Sequence, residues 1–182
     1  MRLDQPRIPP LEPADWNAQV ADIMQPFVAA GADHNVFRTL ANHPDLLRRW
    51  LVFANHVLFK STLPAREREL VILRIGHLCR AGYEWAQHVV IAREAGLDEA
   101  GIASARSGPA TPGISTLDRL LLQATDELHG DAFIGDATWT ALSEHLDTHQ
   151  LVDLVFTVGQ YNLVSMALNS FGVQLDPGLP RG

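Results

Sequence analysis

The sequence predicts an all-α fold of about eight helices. Three observations point there. Apolar residues recur at three- and four-residue spacing along most of the chain, no segment alternates as a strand does, and Pro/Gly clusters punctuate the helical stretches. A chain of 182 residues matches about one domain and can bury a sizeable core. Apolar residues make up 47%, which argues against intrinsic disorder, and a net charge of -7 without a Lys/Arg run argues against a nucleic-acid or anionic-membrane surface.

Residues 1–13 carry Pro6, Pro9, Pro10 and Pro13 and are expected as an extended arm, lying on its own domain or on a neighbouring subunit. A single helical domain then runs from 14 to 175, with a tail at 176–182. Asp15 is expected to cap a helix to Ala30, ended by Gly31. A short helix covers Val36 to Asn42. Pro44 suits a first helical turn, and Leu47, Trp50, Leu51, Ala54 and Leu58 carry helical spacing on to Lys60. The segment Pro64 to Arg80 holds Leu70, Val71, Ile72, Leu73, Ile75 and Leu78. A helix apolar nearly all round belongs in the centre of a bundle. Gly82 offers a break before a helix from Tyr83 to Ala95, closed by Gly96, and Asp98 can cap another to Arg106. After a loop at 107–114, helices are expected over Thr116–His129, over Asp136–His145 with Asp136 as cap, and over Thr148–Phe171, ~35 Å long and ended by Gly172.

The chemistry concentrates between Glu69 and His88. Glu84 and His88 lie four residues apart and share a helix face, while Glu69 opens the buried stretch of the preceding helix. Across the tight break the three can converge. An imidazole beside a carboxylate has its tautomer set and its cation stabilised, and a second carboxylate in an apolar wall completes a proton-moving set. The competing reading is a solvated Glu84–His88 pair worth about 0.2–0.5 kcal/mol, with Glu69 partnering Arg66. Tyr83 is a candidate hydroxyl donor and Trp85 an aromatic wall. Cys79 and His56 are weaker pocket candidates. His56 and His77, in apolar helices, read as core groups.

No metal is expected. Glu84-x-x-x-His88 supplies too few ligands even with His77 or His56 added, and the lone Cys79 allows no thiolate cluster or intramolecular disulfide. Asn162, Ser165 and Asn169 form a polar stripe on the otherwise apolar last helix and need partners. The N-terminus lacks an apolar signal core, and no run reaches about 18 uninterrupted apolar residues, so a cytoplasmic, non-membrane protein is expected.

Glu69-Leu70-Val71-Ile72-Leu73-Arg74, Tyr83-Glu84-Trp85-Ala86-Gln87-His88 and Ala95-Gly96-Leu97 together resemble the carboxymuconolactone decarboxylase family, whose superfamily includes the alkylhydroperoxidase D-like proteins. His43-Pro44-Asp45-Leu46 and Gly159-Gln160-Tyr161-Asn162 add to the likeness, which spans roughly residues 35–175. The resemblance implies an alkylhydroperoxidase D-like helical bundle, a homo-oligomer such as a trimer or hexamer, and no cofactor. The peroxidase branch of the family uses a Glu, a Cys-x-x-Cys pair and a His. Matched on His88, the Glu falls on Glu69 and the cysteines on Ala81 and Glu84, so both thiols are absent.

Without them the dithiol route to peroxide reduction is closed. The resemblance then favours acid/base chemistry on a small-molecule substrate, namely decarboxylation or isomerisation of a carboxylated lactone or related acid. In that reading His88 and Glu84 transfer the proton, Glu69 orients His88, and Tyr83 donates to the developing oxyanion. Two alternatives stand beside it: a thiol peroxidase acting through Cys79 alone, and a non-catalytic helical oligomer that binds a ligand.

Overall fold

A computed structural model describes residues 2–179; the first residue of the expected arm and the last three of the expected tail fall outside it. The described residues form nine helices: α1 (Ala18–Ala29), α2 (Asn35–Leu40), α3 (Pro44–Asn55), α4 (Ala65–Leu78), α5 (Gly82–Glu94), α6 (Glu99–Ser107), α7 (Thr116–Asp131), α8 (Asp136–Ser143) and α9 (Thr148–Phe171). The all-α expectation holds, and most boundaries fall within a few residues of those read from the sequence.

Two caps differ from expectation. Asp15 sits in a short 3-10 turn, and α1 starts after Asn17, whose side chain accepts the Val20 N–H at 2.9 Å. Asp136 is the first residue inside α8 rather than its cap. Glu127 on α7 supplies the acceptor, taking the Gly135 N–H at 2.9 Å and the Thr138 hydroxyl at 2.8 Å. In both cases a better-placed oxygen satisfies the free amides that a helix start leaves. A π turn at His56–Lys60 extends α3 and absorbs the remainder of the expected Pro44–Lys60 helix.

Helix α4 is the axis of the molecule. Every residue from Glu69 to Gly76 is buried, and the helix packs against α5, α6, α7 and α9. Leu70, Ile72, Leu73 and Ile75 join Leu121, Leu122 and Leu154 in the main core. Two bidentate ion pairs tie α4 to α7. Arg66 grips Asp118 at 2.6 and 2.8 Å, and Arg74 grips Asp126 at the same two distances. A second apolar cluster joins α1, α2 and α3 through Val20, Ile23, Met24 and Leu47.

The N-terminal arm lies on its own chain. The Arg7 and Ile8 amides donate to the Phe171 carbonyl at 2.8 and 3.2 Å, and Gln174 Nε2 donates to the Leu3 carbonyl at 3.1 Å. Gly172 makes room for this crossing. Its φ is +71°, and a Cβ there would lie 2.9 Å from the Gln5 carbonyl oxygen. Helix α9 is long and apolar enough to cross a membrane, yet just over half of it is buried against the bundle. Its outer face leaves Val152, Phe156, Leu163 and Met166 exposed, with Phe53 of α3 packed edge-on against Phe156.

Candidate active site

The break between α4 and α5 brings the trio together. The α4 C-terminus turns at Arg80, a non-glycine residue held at φ +53°, and the Ala81 amide closes onto the Gly76 carbonyl at 2.9 Å. Helix α5 then returns along α4. His88 Nδ1 donates to Glu69 Oε2 at 2.7 Å, and His88 Nε2 lies 3.2 Å from Glu84 Oε1. All three are buried, Glu69 completely, so the solvated-pair reading is excluded. The arginine beside Glu69 is Arg68, at 3.1 Å, rather than Arg66, which is committed to Asp118.

The electrostatics follow from this arrangement. Burial alone would depress the His88 pKa, but the facing carboxylates of Glu69 and Glu84 override it and push it up to about 10. His88 is an imidazolium at neutral pH. Its two partners are unequal. Glu69 shares its charge with Arg68 and accepts a short bond from His88. Glu84 Oε1 lies off the direction of a hydrogen bond to Nε2 and is buried without a hydrogen-bond partner among the described residues. Tyr161 of α9 packs edge-to-face on His88, with ring centroids 4.9 Å apart. Burial, then the charges of Glu84 and Glu69, raise its phenol pKa well above 10, so it stays neutral.

Tyr83 does not face the trio, which corrects its expected role as oxyanion donor. Its hydroxyl donates to Asp176 and accepts from the Val36 amide at 3.3 Å and from Gln87 Nε2 at 3.2 Å. Burial and the Asp176 carboxylate push its pKa far up. It is a structural tie between α5, α2 and the segment after α9. His56 also stands apart. It is exposed and bonds Asp153 Oδ1 at 3.1 Å, at the π turn, so it is neither a core group nor a pocket group. His77 is exposed too, with its ring edge-on to Trp85.

Cys79 ends α4 half-buried. Its Sγ donates to Asn162 Oδ1 at 3.0 Å and lies 4.0 Å from His129 Nδ1. Asn169 Nδ2 holds the Cys79 carbonyl at 2.9 Å. The polar stripe of α9 therefore serves this helix end, and burial raises the thiol pKa. Among the described residues no group of three or more His, Cys, Asp and Glu is arranged to hold a metal ion.

A cleft of about 740 Å³ opens at the α4–α5 junction, lined by Gly76, His77, Arg80, Ala81, Trp85 and Arg106. Leu3 and Asp4 of the arm and Gln174 and Leu175 beyond α9 complete the lining. Glu84 stands behind Gly76: a Cβ added at residue 76 would meet Glu84 Cγ at 3.3 Å. Trp85 lines this cleft, which none of the trio lines directly. Tyr161 and Arg106 were not singled out as site residues. Tyr161 had one signal, its place in the Gly159–Asn162 segment, and Arg106 had none.

Residues 44–127 match the model of the carboxymuconolactone decarboxylase family. Solved structures share the architecture of nearly the whole chain. An alkylhydroperoxidase AhpD core, an uncharacterized peroxidase-related protein from Ralstonia eutropha JMP134, aligns with a TM-score of 0.82 at 21% identity, covering 94% of this chain and 93% of that one. An uncharacterized peroxidase-related protein from Silicibacter sp. TM1040 aligns at 0.79 and 16%, covering 97% and 92%. The debrominase Bmp8, bound to 2,3,4-tribromopyrrole, aligns at 0.75 and 13%, covering 93% and 91%. At these identities the likeness establishes the fold alone. No curated protein matches the sequence. Residues 44–127 are a carboxymuconolactone decarboxylase family segment, set in a chain whose fold is AhpD-like.

Proposed function

We propose that the protein is a cofactor-free acid/base enzyme that decarboxylates or isomerises a small carboxylated lactone or related acid. The observation that carries this reading is the unequal clamp on His88. A buried imidazolium is fixed by Glu69 on one nitrogen, while on the other side Glu84 keeps an oxygen without a hydrogen-bond partner among the described residues, one glycine away from the cleft.

Glu84 is the group that exchanges a proton with substrate, and His88 stands behind it as the proton reservoir. In decarboxylation the C–C bond electrons remain on the substrate as carbon dioxide leaves. Glu84 relays the His88 Nε2 proton to that carbanion or enolate, and His88 is reprotonated from water, so that each turnover takes up one solvent proton. In isomerisation Glu84 removes a proton and returns it at a second carbon. Glu69 and Arg68 hold His88 in place and in charge. We assign Tyr83 no part in the chemistry.

Proton NMR in deuterium oxide tests this on a panel of carboxylated lactones and β-keto acids. Wild type is expected to lose carbon dioxide from, or place deuterium into, at least one of them, and His88→Ala to do neither while keeping its helical signal. Equal turnover in the variant would overturn the assignment.

The Cys79 peroxidase is the second reading, favoured by the Asn162 and His129 contacts at its Sγ. Burial works against it by keeping the thiol protonated, and the chain has no second cysteine. Hydroperoxide consumption that disappears in Cys79→Ser would put it first. We also propose a homo-oligomer formed through the exposed apolar face of α9, tested by sedimentation velocity of wild type against Phe156→Glu.

A further inference from the structure

We propose that the cleft at the α4–α5 junction is a binding site for a small organic carboxylate, held by the guanidinium groups of Arg80 and Arg106. What happens to the ligand after binding rests on the proton-transfer reading above; the binding itself does not.

The argument begins with how the chain treats its arginines. Every other arginine among the described residues makes a side-chain hydrogen bond or ion pair: Arg38, Arg48, Arg66, Arg68, Arg74 and Arg93 to carboxylates, and Arg2, Arg7, Arg49 and Arg119 to backbone carbonyls. Arg80 and Arg106 make none among the described residues, and both line this one cleft. In a chain of net charge -7, two uncommitted guanidinium groups in one concave site are a local reversal of sign. A guanidinium presents a planar fork of donors that matches a carboxylate.

Arg80 occupies φ +53°, where glycine would sit without strain. The Arg106 guanidinium carbon lies over the Trp85 ring, 4.3 Å from its centroid, a cation–π contact that holds the group at the cleft. Its backbone is fixed too, because Arg74 Nη1 donates to the Arg106 carbonyl at 3.0 Å. The same wall carries the start of α5, whose first amides have no side-chain cap. Asp4 is the one acidic residue of the lining. His77, one turn before Arg80 on the same helix end, lines the cleft with the two arginines. Desolvation, then Arg74 and Arg106, lower its pKa, so it offers the ligand a neutral imidazole.

Isothermal titration of the full chain tests the site without requiring turnover. The probes are phthalate, benzoate and fumarate, with dimethyl phthalate as the neutral counterpart and inorganic phosphate as the inorganic anion. At least one carboxylate is expected to bind, more weakly as salt is raised, and at least about tenfold more weakly in Arg80→Gln and Arg106→Gln. Arg119→Gln, outside the cleft, leaves affinity unchanged. Arg106→Lys keeps the charge without the fork and gives an intermediate affinity. Arg80→Gly relieves the backbone and is expected to raise Tm while losing binding, a pairing that a purely structural arginine would not produce.

Equal affinity in wild type and both Gln variants overturns the proposal. So does equal binding of the diester, tighter binding of phosphate than of any carboxylate, or no binding by all three acids. His88→Ala separates this inference from the function above. Arginine-dependent binding retained in that variant, with no turnover in wild type, leaves the site standing and removes the reaction.

Discussion

Helix α4 carries buried charge on two of its sides, and the two sides are built differently. Toward α7, Arg66 and Arg74 each meet a single aspartate in a bidentate pair, and Arg74 spends its remaining donor on two backbone carbonyls. Charges cancel and hydrogen-bonding groups are matched. Toward α5, the His88 imidazolium and Arg68 balance the carboxylates of Glu69 and Glu84, but one Glu84 oxygen has no hydrogen-bond partner among the described residues. A matched pair fixes a helix in place. An unmatched cluster keeps a proton within reach of several positions, which is what chemistry needs and stability does not.

The sharpest test of that contrast is Glu84→Gln, which keeps shape and removes charge. Turnover is expected to fall about 10²- to 10⁴-fold with little change in the urea midpoint. A variant that unfolds instead would make Glu84 another structural ion. Arg74→Ala is the mirror experiment. It leaves Asp126 without its cation, and breaking such a pair costs about 3–5 kcal/mol. The lower end is expected because the Asp126 side chain is 29% exposed. Urea denaturation measures it.

The pH dependence divides the two sides as well. The His88 pKa is raised from 6.5 to about 10 on folding, so the native state holds a proton that the unfolded chain gives up. Its stabilisation is complete below about pH 6.5, declines as pH rises, and is gone above about pH 10. Wild type should therefore lose stability across that window relative to His88→Gln; parallel curves for the two proteins would place the charge elsewhere. The smallest effect is expected from Tyr83→Phe, which removes the hydroxyl shared by Asp176, Val36 and Gln87. A loss of about 1–3 kcal/mol in stability with unchanged kcat is anticipated. A collapse of kcat would return Tyr83 to the reaction.

Much of this was legible from residue order. The all-apolar stretch of α4 announced a central helix, and the Glu84–His88 spacing with a tight preceding turn brought three charged groups to one place. The errors have local causes. Tyr83 precedes Glu84 in sequence, but one residue along a helix turns the side chain by about 100°, which carries it to Asp176. The solvated-pair alternative chose Arg66 for Glu69 because spacing three apart suits a helix, yet Asp118, far along the chain, claimed it. Asn17 and Glu127 replaced Asp15 and Asp136 as capping groups because cap strength depends on where an oxygen points, not only on its place in the sequence. The full lining of the cleft depends on Leu3, Asp4, Arg106, Gln174 and Leu175, remote in sequence from the motif, so no local pattern carries it.

The strap of the N-terminal arm across the end of α9 sets an order of events. Its bonds join positions more than 160 residues apart: Arg7 to Ser170, and Gln174 to Leu3. Contacts of such separation form late, after the local helices. During synthesis the arm emerges well before its seat on Phe171 and waits for it. The part of the cleft lining made by Leu3, Asp4, Gln174 and Leu175 is therefore completed only after α9 has been made, and a chain stopped before α9 ends has the trio's own helices without that part of the cleft.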